Sequence, residues 1–181
     1  MSDIALKGLK EITTSLLPPV HLWKPDFCGD MDLVIKANGD WIHEGGKIHR
    51  PAMVDMFSRI LWFEEGEYFL VTPVEKVRIQ VEDAPFLVTE WNWIETKQGP
   101  AIEFTTQTKD VSVLGLDCDI WVSPFENEER PYISMRYGMK ALLSRNVFYA
   151  LVESLVQVET EKGTGIGIIS AGKSYLLMQD K

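Results

Sequence analysis

Two basic helix starts hold the residues with chemistry to offer. Lys47, His49 and Arg50 lead into Pro51, and Arg145 follows Ser144 at the head of a second apolar stripe. Proline is favoured at the first helical position, so Arg50 falls at or beside the N-cap, where Ser, Thr, Asp or Asn is preferred. A cation there opposes the helix dipole by about 0.3–1 kcal/mol, and a residue that breaks a local rule marks a candidate functional position. Between Arg130 and Val152 stand Arg130, Arg136, Lys140 and Arg145 and no Asp or Glu, in a chain of net charge −9. Free helix N–H groups beside a guanidinium fork suit a phosphate or carboxylate. The plainer alternative pairs each arginine with a nearby carboxylate such as Glu44, Glu75 or Asp83, as surface charges usually do.

Other motifs carry less. Gly167 to Ser174 matches GxxxxGK[ST] literally, but only seven residues follow Ser174. A phosphate-binding loop needs a helix after it, so the match reads as a turn between strands. Gly163 to Gly167 follows a helix instead of opening one and reads as a loop. His43-Glu44 with His49 lacks zinc-site spacing. Cys28 and Cys118 form no CxxC, and neither has an evident base partner. Trp91 and Trp93 share one strand face, either core or a stacking wall. No catalytic residue, metal or cofactor is expected.

The elements that position these groups follow from bulk properties and periodicity. The chain has 181 residues, 45% of them hydrophobic, enough for one domain or two small ones. Its acidity argues against a DNA or RNA polymer as partner. The start of the sequence lacks the apolar core of a signal peptide, and no window approaches the ~18 apolar residues of a membrane span. The expectation is a soluble, cytoplasmic protein with no membrane partner.

Ala5, Leu9, Ile12 and Leu16 predict a helix over 3–16, ended by Pro18-Pro19. Residues 20–29 read as a connector. Asn38-Gly39-Asp40 predicts a hairpin between strands 33–36 and 40–43, and 44–47 a loop. Met53, Met56, Phe57 and Ile60 form the core stripe of a helix from Pro51 that stops at 64–67. Strands are expected at 68–72 and 76–81. Beyond residues 82–85 the pattern is strand-rich: 86–95, 101–108, 111–114, 120–123 and 132–137, with an acidic loop at 125–130. Phe148, Leu151, Val152 and Leu155 repeat the helical stripe from Ser144. Strands at 166–170 and 175–178 follow.

The stripe from Met53 lies over the stripe from Phe148 with no gap, and Arg50 lies over Arg145. A strand, turn and strand follow each helix. The predicted fold class is α+β, two copies of a strand–helix–strand–strand unit, over 1–82 and 83–181.

Gly39 to Arg50 (GDWIHEGGKIHR), Met56-Phe57-Ser58, Thr72 to Lys76 (TPVEK) and Val81 to Phe86 (VEDAPF) together resemble a bacterial family known as domain of unknown function 1285. Ala141 to Tyr149 and the Ser170-Ala171-Gly172 turn are similar to its second block. The resemblance implies two repeated α+β domains, the second a larger, strongly bent antiparallel sheet like a pleckstrin-homology barrel. It also implies an anionic or nucleotide-type ligand between the domains and a role in signal transduction. Gly46, Lys47, Arg50, Thr72, Glu75, Lys76, Asp83, Arg145 and Tyr149 match its motifs. Arg50, Arg145 and Lys47 would meet the ligand's charge, and Tyr149 or Trp41 would stack on it or hydrogen-bond it. Glu75 and Lys76 would pair or orient the arginines, and Asp83 completes the set. The alternative is a protein-interaction module without a small ligand. A homodimer stays open.

Overall fold

A computed structural model describes residues 17–180. The expected helix at 3–16 lies outside the described residues. These residues are mostly sheet with two α-helices, in two units that divide between Pro85 and Phe86.

The first unit opens with a 3-10 turn, Val20–Leu22, followed by β1 (Phe27–Ile35), β2 (Trp41–His43), β3 (Gly46–Lys47), α1 (Pro51–Arg59), β4 (Leu61–Glu64), β5 (Glu67–Val71) and β6 (Lys76–Val81). Its six-stranded sheet runs β3-β2-β1-β6-β5-β4, two antiparallel meanders joined by the parallel pair β1·β6. The Asn38 hairpin forms, with the Asn38 side chain accepting from Asp40 N–H at 3.0 Å. Residues 44–47 are not a loop: Glu44 and Gly45 turn tightly into β3. Glu44 (φ 47°) and Gly45 (φ 76°) both lie in the left-handed region, as a type I′ hairpin turn requires.

Pro51 is the first helical residue and Arg50 the N-cap, its side chain making no cap bond. The helix ends at Arg59, before the predicted stop, because Leu61-Trp62-Phe63 pairs as β4 with β5. Of the predicted stripe, Phe57 and Ile60 are buried while Met53 and Met56 are only half-buried. The helix therefore seats mainly its last turn. Trp41 stacks against Phe57 there, with centroids 6.4 Å apart and planes 11° apart.

The second unit contains β7 (Phe86–Thr96), β8 (Gly99–Thr106), β9 (Val111–Val113), β10 (Ile120–Phe125), β11 (Glu128–Ser134), β12 (Lys140–Leu143), α2 (Arg145–Val152), β13 (Val156–Thr160), β14 (Gly163–Ser170) and β15 (Lys173–Gln179). A six-stranded sheet runs β10-β11-β12-β7-β8-β9 with β12·β7 parallel, and β13-β14-β15 form a separate antiparallel sheet. Buried Ser170 links the two. Its hydroxyl donates to the Leu114 carbonyl at 2.7 Å and accepts from Ile102 N–H at 2.8 Å.

Three expectations change here. The acidic loop at 125–130 is a hairpin whose turn is residues 126–127, with Glu126 at φ 53°. Gly163 to Gly167 is the first half of β14, paired along its length with β13. The stripe of α2 is Val147 and Leu151, because Ser144 caps the helix by accepting from Val147 N–H at 3.4 Å and so fixes its phase. Val152 is exposed, and the helix ends before Leu155. The GxxxxGK[ST] match is strand, turn and strand, with Ala171 (φ 48°) and Gly172 (φ 72°) at the turn.

Candidate functional site

The residues singled out by sequence are distributed over both units. On β3, Lys47 pairs with Asp40 at 2.7 Å, and that contact holds the Asp40 carboxyl below its ordinary range. Arg50 is exposed and forms no ion pair among the described residues. Trp41 is 2% exposed, a core residue, with its indole N–H buried and lacking a partner among the described residues. Asp83 is buried. Burial first, and the Asp83 charge second, push the Tyr68 phenol up to about 12.

Thr72 builds the turn that presents Glu75 and Lys76. Its hydroxyl accepts from Glu75 N–H at 3.1 Å, and its own N–H donates to the Glu75 carbonyl at 2.9 Å. Lys76 then heads β6 with its ammonium 4.2 Å from the Phe69 ring centroid and paired with Glu64. That pairing keeps the Glu64 carboxyl low.

In the second unit Arg145 is 80% exposed in its side chain and reaches Glu128 only at 3.5 Å. Tyr149 is 67% exposed. The acid-free run from Arg130 to Val152 is not free of acids in space. Arg130 pairs with Glu128 at 3.4 Å and lies over Phe125, Arg136 pairs with Asp110 and lies over Phe86, and Lys140 lies 4.0 Å from the Tyr132 centroid. Glu128 lies just outside the run in sequence, and the fold brings Asp110 to Arg136.

Two cavities open in the first unit. The larger, about 580 Å³, is lined by Asp30, Glu67, Tyr68, Arg78 and Glu82 among others. Its cation is committed: Arg78 donates to both Asp30 oxygens at 2.7 and 3.1 Å and to Glu67 at 2.8 Å. These bonds keep the guanidinium charged and the Asp30 carboxyl low. Lys36 likewise occupies Glu82 at 2.6 Å. An added anion would face this acidic set, so the larger space is the poorer anion site.

The smaller cavity, about 280 Å³, is different in kind. His21, Trp23, Lys24, Trp62, Glu64 and Lys76 line it, with Val20, Pro25 and Val71. The 3-10 turn rests against β4 through buried Val20, and Trp23 N–H donates to the Val20 carbonyl at 3.0 Å, which sets the connector's course. On β4, Trp62 and Glu64 are two apart and so share a face. The wall thus offers two indoles, two ammoniums, an imidazole and one carboxylate. Lys24 has no carboxylate partner among the described residues, whereas Lys76 is half-neutralised by Glu64. The arrangement can stack a flat ring and meet an anion.

Only Lys76 of this lining was singled out from sequence. His21, Trp23 and Lys24 lie in a stretch without periodicity, and Trp62 in one assigned to the helix. The signal available was an aromatic beside a cation, Trp23-Lys24, in an otherwise plain connector. Among the described residues no cluster of three His, Cys, Asp or Glu side chains is placed to hold a metal. No described helix is long and apolar enough to cross a membrane.

The chain as a whole is similar to known sequences and folds. The family described as domain of unknown function DUF1285 matches with its N-terminal domain over residues 18–84 and with its C-terminal domain over residues 85–177. The crystal structure of a DUF1285 family protein from Silicibacter pomeroyi DSS-3 is 39% identical, covers 94% of this chain and 92% of its own, and superposes with a TM-score of 0.83. A DUF1285 family protein from Shewanella baltica OS155 is 29% identical over 68% of this chain and 91% of its own, with a TM-score of 0.56. Among curated proteins none matches the chain.

Proposed function

The chain belongs to the DUF1285 family, and from that premise we propose that it binds a small anionic molecule carrying a flat ring, a nucleotide-type ligand, in the Trp23–Trp62 cavity of the first unit. The observation that carries this reading is the meeting of two indoles with Lys24 and Lys76 in one space of about 280 Å³. That volume is at the small end of ligand pockets, ~300–1,000 Å³, which suits one ring and one phosphate better than a dinucleotide. Ring stacking on an aromatic side chain contributes about 1–3 kcal/mol. A phosphate then draws the Lys76 ammonium partly away from Glu64, and Lys24 meets it from the connector. Lys47, Arg50 and Arg145 do not line this cavity, so Lys24 and Lys76 are its anion contacts.

The reading includes a cytoplasmic setting and a role in signal transduction, and a second unit curved like a pleckstrin-homology barrel. The last is supported by two sheets, a single helix and the bond from the Tyr175 hydroxyl to Asp119 at 2.9 Å. A protein-interaction module is the second reading, favoured by the apolar outer face of α2, where Tyr149 is 67% and Val152 42% exposed.

Calorimetry and tryptophan fluorescence with adenosine and guanosine monophosphates, the free nucleosides and inorganic phosphate test the ligand. Binding is expected for a ring-bearing phosphate, with each of Lys24→Ala and Trp62→Ala weakening it about tenfold, the equivalent of ~1.4 kcal/mol. No heat and no quenching with any ring-bearing anion would sink it.

A further inference from the structure

We infer that the outer face of α2 is a self-docking surface, on which two copies of the chain pair antiparallel about a two-fold axis through Tyr149. The inference is independent of the cavity and rests on the interaction reading of this face. Val147 and Leu151 are the buried residues of α2. They precede and follow Tyr149 by two positions, about 200° to either side on a helix of 3.6 residues per turn, so Tyr149 occupies the middle of the outward face. It is 67% exposed, and no hydrogen bond engages its phenol among the described residues.

The charges around it are self-complementary. Arg145 lies four residues before Tyr149 and Glu153 four after, one stripe with opposite signs at its two ends. Both are exposed, and Glu153 has no ion-pair partner among the described residues. In an antiparallel pair centred on Tyr149, Arg145 meets the partner's Glu153, and Glu153 meets the partner's Arg145. Parallel pairing would oppose like charges. Val152, 42% exposed, lies about 60° around the helix from Tyr149 and adds apolar surface beside the phenol. The internal competitor for Arg145 is Glu128, at 3.5 Å between two exposed groups, a weak contact. An isologous interface requires this kind of self-matching patch. Arbitrary protein partners do not require opposite charges equidistant from one aromatic.

An eight-residue helix is ~12 Å long, so the contact is well below the ~800 Å² per partner of a stable complex. The dimer is therefore weak and concentration-dependent. Sedimentation velocity and X-ray scattering on the full chain, from micromolar to millimolar, should show a growing dimer fraction at low salt. Arg145→Glu and Glu153→Arg should each weaken it about tenfold, since each reversal opposes charges twice per dimer. The double reversal should restore it. Arg145→Glu puts an anion at the helix start and Glu153→Arg a cation at its end, both favourable to the helix dipole, so lost association is not lost folding. A chain that stays monomeric throughout overturns the self-docking and leaves only a different partner for this face. A dimer indifferent to both single reversals, or not restored by the double, overturns the antiparallel pairing.

Discussion

Replacing Gly167 by alanine should destabilise the second unit, although removing a strand glycine normally does the reverse. A Cβ built on Gly167 lies 1.9 Å from the Tyr175 carbonyl oxygen, 2.6 Å from Val158 Cγ2 and 2.9 Å from the Tyr175 carbonyl carbon. Two of these are backbone atoms of β15, which cannot rotate away. Relief requires β14 and β15 to part by more than 1 Å where Gly167 opposes Leu176, next to an existing register shift. Overpacking costs about 1–3 kcal/mol, and loosening two ladder hydrogen bonds adds about 1 kcal/mol each. The gain from a stiffer unfolded chain, ~0.4–1 kcal/mol, does not offset this, leaving a net loss of about 3 kcal/mol. Gly46→Ala is the control: its Cβ would meet nothing nearer than the His43 carbonyl oxygen at 3.6 Å, so it should stabilise by the same ~0.4–1 kcal/mol. Urea denaturation followed by near-ultraviolet circular dichroism separates the two, with the Gly167→Ala midpoint lower by about 1 M or more. A Gly167→Ala chain within about 0.5 kcal/mol of wild type would refute the steric account. It would also reopen the glycine-rich run from Gly163 as something other than a close strand crossing.

Ser170→Val leaves the Ile102 N–H and Leu114 carbonyl without their buried partner, a loss of about 2–4 kcal/mol that a calorimetric scan reads as a lower melting temperature; an unchanged melt would mean the two sheets do not depend on this link. Asp30, Asp40, Glu64 and Glu82 are all held below their ordinary values of 3.8 and 4.5 by Arg78, Lys47, Lys76 and Lys36 respectively. Their contribution is thus present above the ordinary carboxylate range and is lost as pH falls through the depressed values. The urea midpoint should drop below about pH 4, less steeply in high salt because the pairs are exposed. A midpoint flat from pH 5 to 3 contradicts this. Burial, then the charges of Asp117 and Asp119, push the Cys118 thiol up to about 12, while Cys28 is exposed. A thiol reagent at pH 8 should therefore consume one cysteine quickly and the second only on unfolding.

Much of the local structure was legible because its causes are local. Pro51 sets a helix start by its fixed φ, and Gly39 closes the Asn38 hairpin at φ 88°. What was hidden depends on partners distant in sequence. Nothing in the alternation of β1 announces that it runs parallel to β6, or that β12 runs parallel to β7. The same blindness made Arg136 and Lys140 look unopposed, since Asp110, on the turn before β9, and the Tyr132 ring, on neighbouring β11, reach them only through the fold. Trp41, expected to stack on a ligand, is instead buried and stacked against Phe57 of α1. The cavity residues were missed for the opposite reason: Trp23 and Lys24 belong to no periodic element, and only the docking of Val20 against β4 gives them a common wall with Trp62.

The expected alignment of the two helices shifts by one residue. Sequence superposition without a gap lays Arg50 over Arg145, but Arg50 is the N-cap of α1, whereas Arg145 is the first residue of α2 behind the N-cap Ser144. One residue is 100° of helix rotation, enough to turn a buried stripe onto the solvent side. Aligning the caps instead lays Phe57 over Leu151, both buried, where the gapless alignment laid Phe57 over exposed Val152. The two arginines therefore leave their helices in different directions, and one repeat does not imply two equivalent anion sites. The strand context diverges further. The meander β4-β5-β6 returns to β1 and completes one sheet, while β13-β14-β15 stands apart as a second. Beneath α1 this leaves a stacked Trp41–Phe57 core, and on α2 an open face centred on Tyr149. The two helices thus border different surfaces, the Trp23–Trp62 cavity lying in the first unit and the exposed face of α2 in the second.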